Sequence, residues 1–196
     1  MAIKKQKKSA EKWKKKKWYK IYAPKMFKES ILGETPAEKE SRLIGRTVEV
    51  PLSDVAGQKR PLAMVAKLRI VRASGDRAET ELIGCRVDSG YLKRITRRRK
   101  SKVDVISDAE TSDNKKLRIS ATVICTTKIE SKKETNIRKA TAELINNEAK
   151  KQNFEEFMQQ VLFGGLAQKV MEKVKNIAPT QRVEVVKAYL IEGKKK

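Results

Sequence analysis

Histidine is missing from all 196 residues, and with it go the commonest general base and the commonest nitrogen ligand of zinc. Two cysteines remain, Cys85 and Cys125, with no Cys-x-x-Cys spacing, which argues against a zinc site. Each falls in a run where apolar and polar residues alternate, the setting of a buried, reduced thiol, with a disulfide as the lesser alternative. Serines lack a histidine to act as their base, and no Gly-rich loop ending in Gly-Lys-Ser/Thr is present to cradle phosphates. No apolar run approaches the roughly 18 residues that span a bilayer, and residues 1–20 contain no apolar signal-peptide centre. A cytosolic protein that is not an enzyme, with no cofactor, no small-molecule substrate and no membrane partner, is the expectation. Acidic residues are also scarce: 24 Asp and Glu face 47 Lys and Arg.

The resulting formal charge of +23 repels itself unless a polyanion neutralises it. Nucleic acid suits best, because each phosphate met by Lys or Arg releases condensed counterions. Residues 1–20 hold ten lysines and one glutamate, net +9, and residues 194–196 add +3, which leaves +11 on the body. The first 17 residues offer little to bury, so they are expected to form a disordered arm that orders on its partner. The arm has no arginine, unlike an organelle transit peptide. Its candidate RNA contacts are Lys4, Lys5, Lys7, Lys8, Lys12, Lys14, Lys15, Lys16, Lys17 and Lys20, with Trp18 and Tyr19 as candidate stacking residues. The plainer reading makes these aromatics part of the core. Residues 18–193 are taken as one domain and 194–196 as a basic tail.

Hydrophobic residues make up 39% of the chain, enough for a real core. Period-two patterning appears around Ile44, Val48 and Val50, then at Leu62, Met64, Ala66, Leu68 and Ile70. A Ser74-Gly75-Asp76 turn leads to Ile83, Cys85 and Val87, which predicts a β-hairpin. Asp88 or Ser89 is suited to cap a short helix carrying Tyr91, Leu92 and Ile95 on one face. Val103 to Ile106 reads as a weak strand, and Leu117, Ile119, Ala121, Val123 and Cys125 as the clearest one. Helical spacing follows at Ile137, Ala140, Leu144 and Ile145, then at Phe154, Phe157, Met158, Val161 and Leu162, then from Leu166 to Ile177. Asn153 and Glu156 suggest a capping box, Gly164-Gly165 a break, and Val183 to Leu190 a closing strand. The fold class is α+β, a mainly antiparallel sheet with C-terminal helices packed on part of it.

A second basic cluster, Arg94, Arg97, Arg98, Arg99, Lys100 and Lys102, lies inside the body. Three adjacent arginines without an acidic neighbour favour phosphate contact over a merely solvated helix end. Asp104, Asp108, Glu110 and Asp113 admit a Mg²⁺-dependent nuclease in principle, but their spacing suits a polar connection between strands better. The Gly164-Gly165 junction between helices admits a helix-turn-helix; Gly165, Leu166 and Ala167 are poor base readers at the start of a recognition helix. A DNA-binding architectural protein remains the other alternative.

Six segments, in order, resemble the S-three-A-e family of archaeal and eukaryotic small-subunit ribosomal proteins. They are Lys16-Lys17-Trp18-Tyr19-Lys20-Ile21-Tyr22-Ala23-Pro24-Lys25-Met26-Phe27, Gly45-Arg46-Thr47-Val48-Glu49-Val50, Tyr91-Leu92-Lys93-Arg94-Ile95 with Arg97-Arg98-Arg99, Ile137-Arg138-Lys139-Ala140, Phe154-Glu155-Glu156-Phe157 through Leu162-Phe163-Gly164, and Arg182-Val183-Glu184-Val185. The resemblance implies a barrel-like β-sheet body with C-terminal helices. It also implies a place on the platform of the small subunit, near the messenger RNA exit and the 3′ end of the ribosomal RNA, among other platform proteins. Direct contact with messenger RNA is left open. The chain's length suggests an archaeal rather than a eukaryotic member. One departure is the acidic linker 108–115, which lacks the Asp-Gly turn the family leads one to expect.

Overall fold

A computed structural model describes residues 16–56 and 63–191. Eight strands form one sheet: β1 Lys17–Tyr22, β2 Ile31–Ala37, β3 Thr47–Pro51, β4 Met64–Ser74, β5 Arg77–Val87, β6 Lys102–Glu110, β7 Lys116–Cys125 and β8 Thr180–Leu190. Among the described residues five α-helices accompany it: α1 Leu52–Ala56, α2 Ser89–Ile95, α3 Ser131–Lys151, α4 Phe154–Leu162 and α5 Gly165–Lys175.

The long β4–β5 hairpin is the trunk. Gly75, at φ +59°, opens its two-residue turn, a backbone state that costs glycine little. Along its other edge β5 meets two strands in succession: β1 runs parallel to residues 77–79, and β8 antiparallel to residues 84–86. From β8 the sheet continues through β7 to β6, while β3 extends it beyond β4 and β2 beyond β1. Every pairing among the described residues is antiparallel except β1 with β5.

The α+β class therefore holds, but the barrel-like body does not. No pairing joins β6 to β3 or β2 among the described residues, so the sheet stays open. Helices cover its inner face instead: α3 lies along β6 and α5 along β8. Ile137, Ile145, Phe157, Met158, Val161, Leu166 and Val170 meet the inward side chains of β4 to β8 there. Apolar area removed from water at about 25 cal/mol per Å² drives that contact, so a sheet face already dry against helices gains little by closing on itself.

Three local expectations need correction. The run expected to start near Ile44 starts at Thr47; Leu43 is buried below a 3-10 turn, Glu40–Arg42, and Ile44 points to solvent. Ile83 is the extra residue of a bulge, since Lys67 pairs with Gly84 but Leu68 with Leu82. Leu82, Cys85 and Val87 consequently face the core and Ile83 does not. The supposed weak strand at 103–106 is nine residues long, with Val103, Val105 and Ala109 inward and Ser107 donating to Asn146 Oδ1 at 3.1 Å.

Candidate nucleic-acid interface

The arginine-rich segment is held at both ends. As β5 finishes, Asp88 turns out of the sheet, and its carboxylate accepts from the Gly90 and Tyr91 backbone N–H groups at 3.0 and 3.2 Å. This cap starts α2, as the sequence suggested. Thr96 closes it, with its hydroxyl donating to the Leu92 carbonyl at 2.9 Å. Tyr91 and Leu92 pack against the core, and the Tyr91 hydroxyl donates to Glu184 on β8 at 3.0 Å. Burial, together with the Glu184 carboxylate, pushes the Tyr91 phenol up. Beyond the turn, Ser101 is tied to the chain at Cys125, Thr127 and Ile129. The six residues between Ile95 and Lys102 thus form a short bridge between two fixed points.

On that bridge Arg97, Arg98 and Arg99 are exposed, and none has a carboxylate partner among the described residues. Arg99 adopts φ +65° in the turn. The neighbouring cations are partly engaged. Arg94 stacks on the Tyr91 ring at 5.5 Å, Lys100 donates to Gln181, and Lys102 pairs with Asp104 at 2.9 Å. Arg182 of β8 also reaches the Tyr91 ring, at 5.3 Å, and donates to Glu184 at 2.6 Å. Nothing in the local spacing near Arg97 pointed to Arg182. It joins the cluster because β8 passes beside α2, and its only signal was the outward phase of the β8 alternation.

The second predicted group fares differently. Lys4, Lys5, Lys7, Lys8, Lys12, Lys14 and Lys15 lie outside the described residues, as do residues 194–196. Lys16, Lys17 and Lys20 are exposed, and Lys17 already belongs to β1. The two aromatics part company: Trp18 is 57% exposed, while Tyr19 is 4% exposed and packs with Ala37, Leu43, Ile70 and Ala78. Tyr19 is therefore corrected from stacking candidate to core residue, because successive residues of a strand face opposite sides. Among the described residues the two basic groups do not converge. β1 sits beside the start of β5 and α2 follows its end, which separates them by roughly 30 Å of strand.

Of the acidic residues near 108, Asp104, Asp108 and Glu110 lie on β6 and Asp113 in the turn that follows it. Asp104 accepts from Thr122 at 2.6 Å besides pairing with Lys102, and Asp108 receives both arms of Arg118 at 2.7 and 2.8 Å. The Arg118 guanidinium holds the Asp108 carboxyl below the usual range. Asp113 accepts from the Phe154 N–H at 3.1 Å. Among the described residues no three His, Cys, Asp or Glu side chains converge as a metal site, and no helix is long and apolar enough to cross a membrane. At the supposed helix-turn-helix, Leu166 at the start of α5 is buried against the sheet. Both thiols are free and buried.

The chain thus folds as an open, mainly antiparallel sheet backed by helices, with an anchored arginine bridge between α2 and β6. Residues 4–194 match the model of the Ribosomal S3Ae family, and the chain belongs to that family. Small ribosomal subunit protein eS1 of Saccharolobus islandicus strain L.S.2.15 is 38% identical over 181 residues, which cover 92% of this chain and 87% of that protein. The proteins of the same name from Sulfurisphaera tokodaii and Saccharolobus solfataricus are 34% and 35% identical, over 93% and 92% of this chain and 95% and 87% of theirs.

Proposed function

We propose that this chain is a structural protein of the small ribosomal subunit that binds ribosomal RNA, without turnover, in the cytoplasm. Membership of the Ribosomal S3Ae family and the eS1 relatives support the ribosomal reading. The observation that carries RNA contact is the set of unpaired, exposed guanidinium groups on Arg97, Arg98 and Arg99, fixed between α2 and β6. Fixing the backbone lowers the entropy lost when the forks grip phosphate oxygens.

The further assignment follows the resemblance: a site on the platform near the messenger RNA exit, with other platform proteins as neighbours and ribosomal RNA as the main partner. Residues 1–17 act as an RNA-ordered arm on a body of residues 18–193, and 194–196 as a basic tail. Replacing Arg97, Arg98 and Arg99 by Ala is expected to leave the circular dichroism of the isolated protein unchanged and to impair its incorporation into small subunits. Normal assembly of that variant on sucrose gradients sinks the assignment. A DNA-architectural protein would instead prefer duplex DNA in a competition titration. A nuclease has little to work with, since Asp104 and Asp108 are engaged by Lys102 and Arg118.

A further inference from the structure

The long helices α3, α4 and α5 pack on one face of the sheet. On the other, between β6, β7 and β8 and the edge of α2, lies an open cavity of about 420 Å³. That size falls in the range of about 300–1,000 Å³ typical of small-ligand sites. Leu92, Ile106 and Tyr189 supply its apolar walls, and Lys102, Arg118 and Lys187 stand among them. Ile106 is 70% exposed although the strand registers hold it in place.

Tyr189 has an unusual seat. A side chain on Gly84, the residue opposite it on β5, would run into the Tyr189 ring and the Ala188 carbonyl. The missing side chain lets the ring lean over the glycine backbone of β5, and the Lys67 ammonium lies 5.9 Å from the ring centroid. A half-exposed aromatic resting on an uncovered sheet face, with flexible lysines beside it, offers a stacking surface for an unpaired base. The lysine over the ring can swing aside to meet a phosphate.

Charge argues for the same occupant. Of the cations that line the cavity, Lys102 is paired with Asp104 and Arg118 with Asp108, while Lys187 has no carboxylate partner among the described residues and stands with Lys67 beside the tyrosine to meet an anion. Lys102 is at once the end of the arginine bridge and a wall of the cavity, so a strand whose phosphates follow Arg97 to Lys100 arrives at its mouth. A duplex keeps its bases stacked inside and cannot enter.

We infer that the uncovered face of β6, β7 and β8 docks a single-stranded RNA segment, with one base stacked on Tyr189 and its flanking phosphates on Lys67 and Lys187. This rests on the RNA-binding reading above. The test uses the full chain and a short single-stranded RNA carrying one 2-aminopurine, whose fluorescence falls on stacking. Wild type and Tyr189→Phe should quench it. Tyr189→Leu should lose the quenching and bind about ten-fold more weakly, as expected when a single stack is removed. If Tyr189→Leu does not fold, the variant Lys67→Glu/Lys187→Glu, at one half-buried and one exposed lysine, should show the same loss of quenching. Full quenching and affinity in either folded variant, while the triple Arg97, Arg98, Arg99 variant weakens, overturns the platform and spares RNA binding. If wild type binds no RNA, both fall together.

Discussion

Cys85 shows how far burial alone can set the chemistry of a side chain. It sits inward on β5 just past the bulge, fully enclosed, and burial pushes its thiol up to about 12, outweighing a backbone hydrogen bond from Ala188. The ordinary value is 9.0. Below that, folded and unfolded states both keep the proton and stability does not respond. Above it the unfolded thiol ionises and the folded one does not, so stability falls as pH rises, by about 1.4 kcal/mol per unit until the folded thiol titrates. Urea midpoints measured between pH 9 and 10 should therefore fall less steeply for Cys85→Ala than for the parent, and parallel slopes would refute the assignment. Alternation with polar residues had placed this thiol inside. The same alternation did not separate Trp18 from Tyr19, because a six-residue strand flanked by Lys16 and Pro24 shows too few turns of its pattern for its faces to be told apart.

Helix α4 begins on borrowed partners. Asn153 occupies the cap position, but no hydrogen bond from its side chain caps the helix; its Oδ1 accepts instead from Ser112 at 2.7 Å. Asp113, in the β6–β7 turn, takes the Phe154 N–H. The capping box expected from Asn153 and Glu156 is thus replaced by a contact 41 residues away in sequence. Asp113→Ala should cost about 0.5–2 kcal/mol, as loss of a cap does, whereas Glu156→Ala should change the urea midpoint by less than about 0.5 kcal/mol equivalent. Equal effects would restore the local cap. At the other end Gly164, at φ +81°, makes the sharp turn into α5. Elements with an uninterrupted period, such as β4, β7 and α4, were legible from spacing. β2 was not, because Gly33 and Pro36 interrupt it, and a proline of that kind is tolerated on an edge strand.

Across the whole molecule, positive charge is divided between an N-terminal run and a body that carries its own basic surface. A deletion of residues 1–15 leaves the sequence of every described strand intact, the first being β1, Lys17–Tyr22. That deletion should flatten the plot of log RNA affinity against log salt, by up to about 0.9 for each lysine that had met a phosphate. An unchanged slope would mean the arm touches no phosphates. The triple arginine replacement should lower the slope as well, since β1, from which the deleted segment leads, and the arginine bridge lie at opposite ends of β5.

The amino-acid sequence alone determined the excess of positive charge, the α+β character and the inward phase of the segments with an uninterrupted period, because charge and periodicity are properties of neighbouring residues. Tertiary structure alone decided that the sheet stays open, that Tyr19 is core, and that Arg182 joins Arg94 around one ring. It likewise decided that Lys67 on β4 and Lys187 on β8 stand near one tyrosine. Those placements depend on pairings between strands far apart along the chain, where a one-residue bulge is enough to exchange the faces.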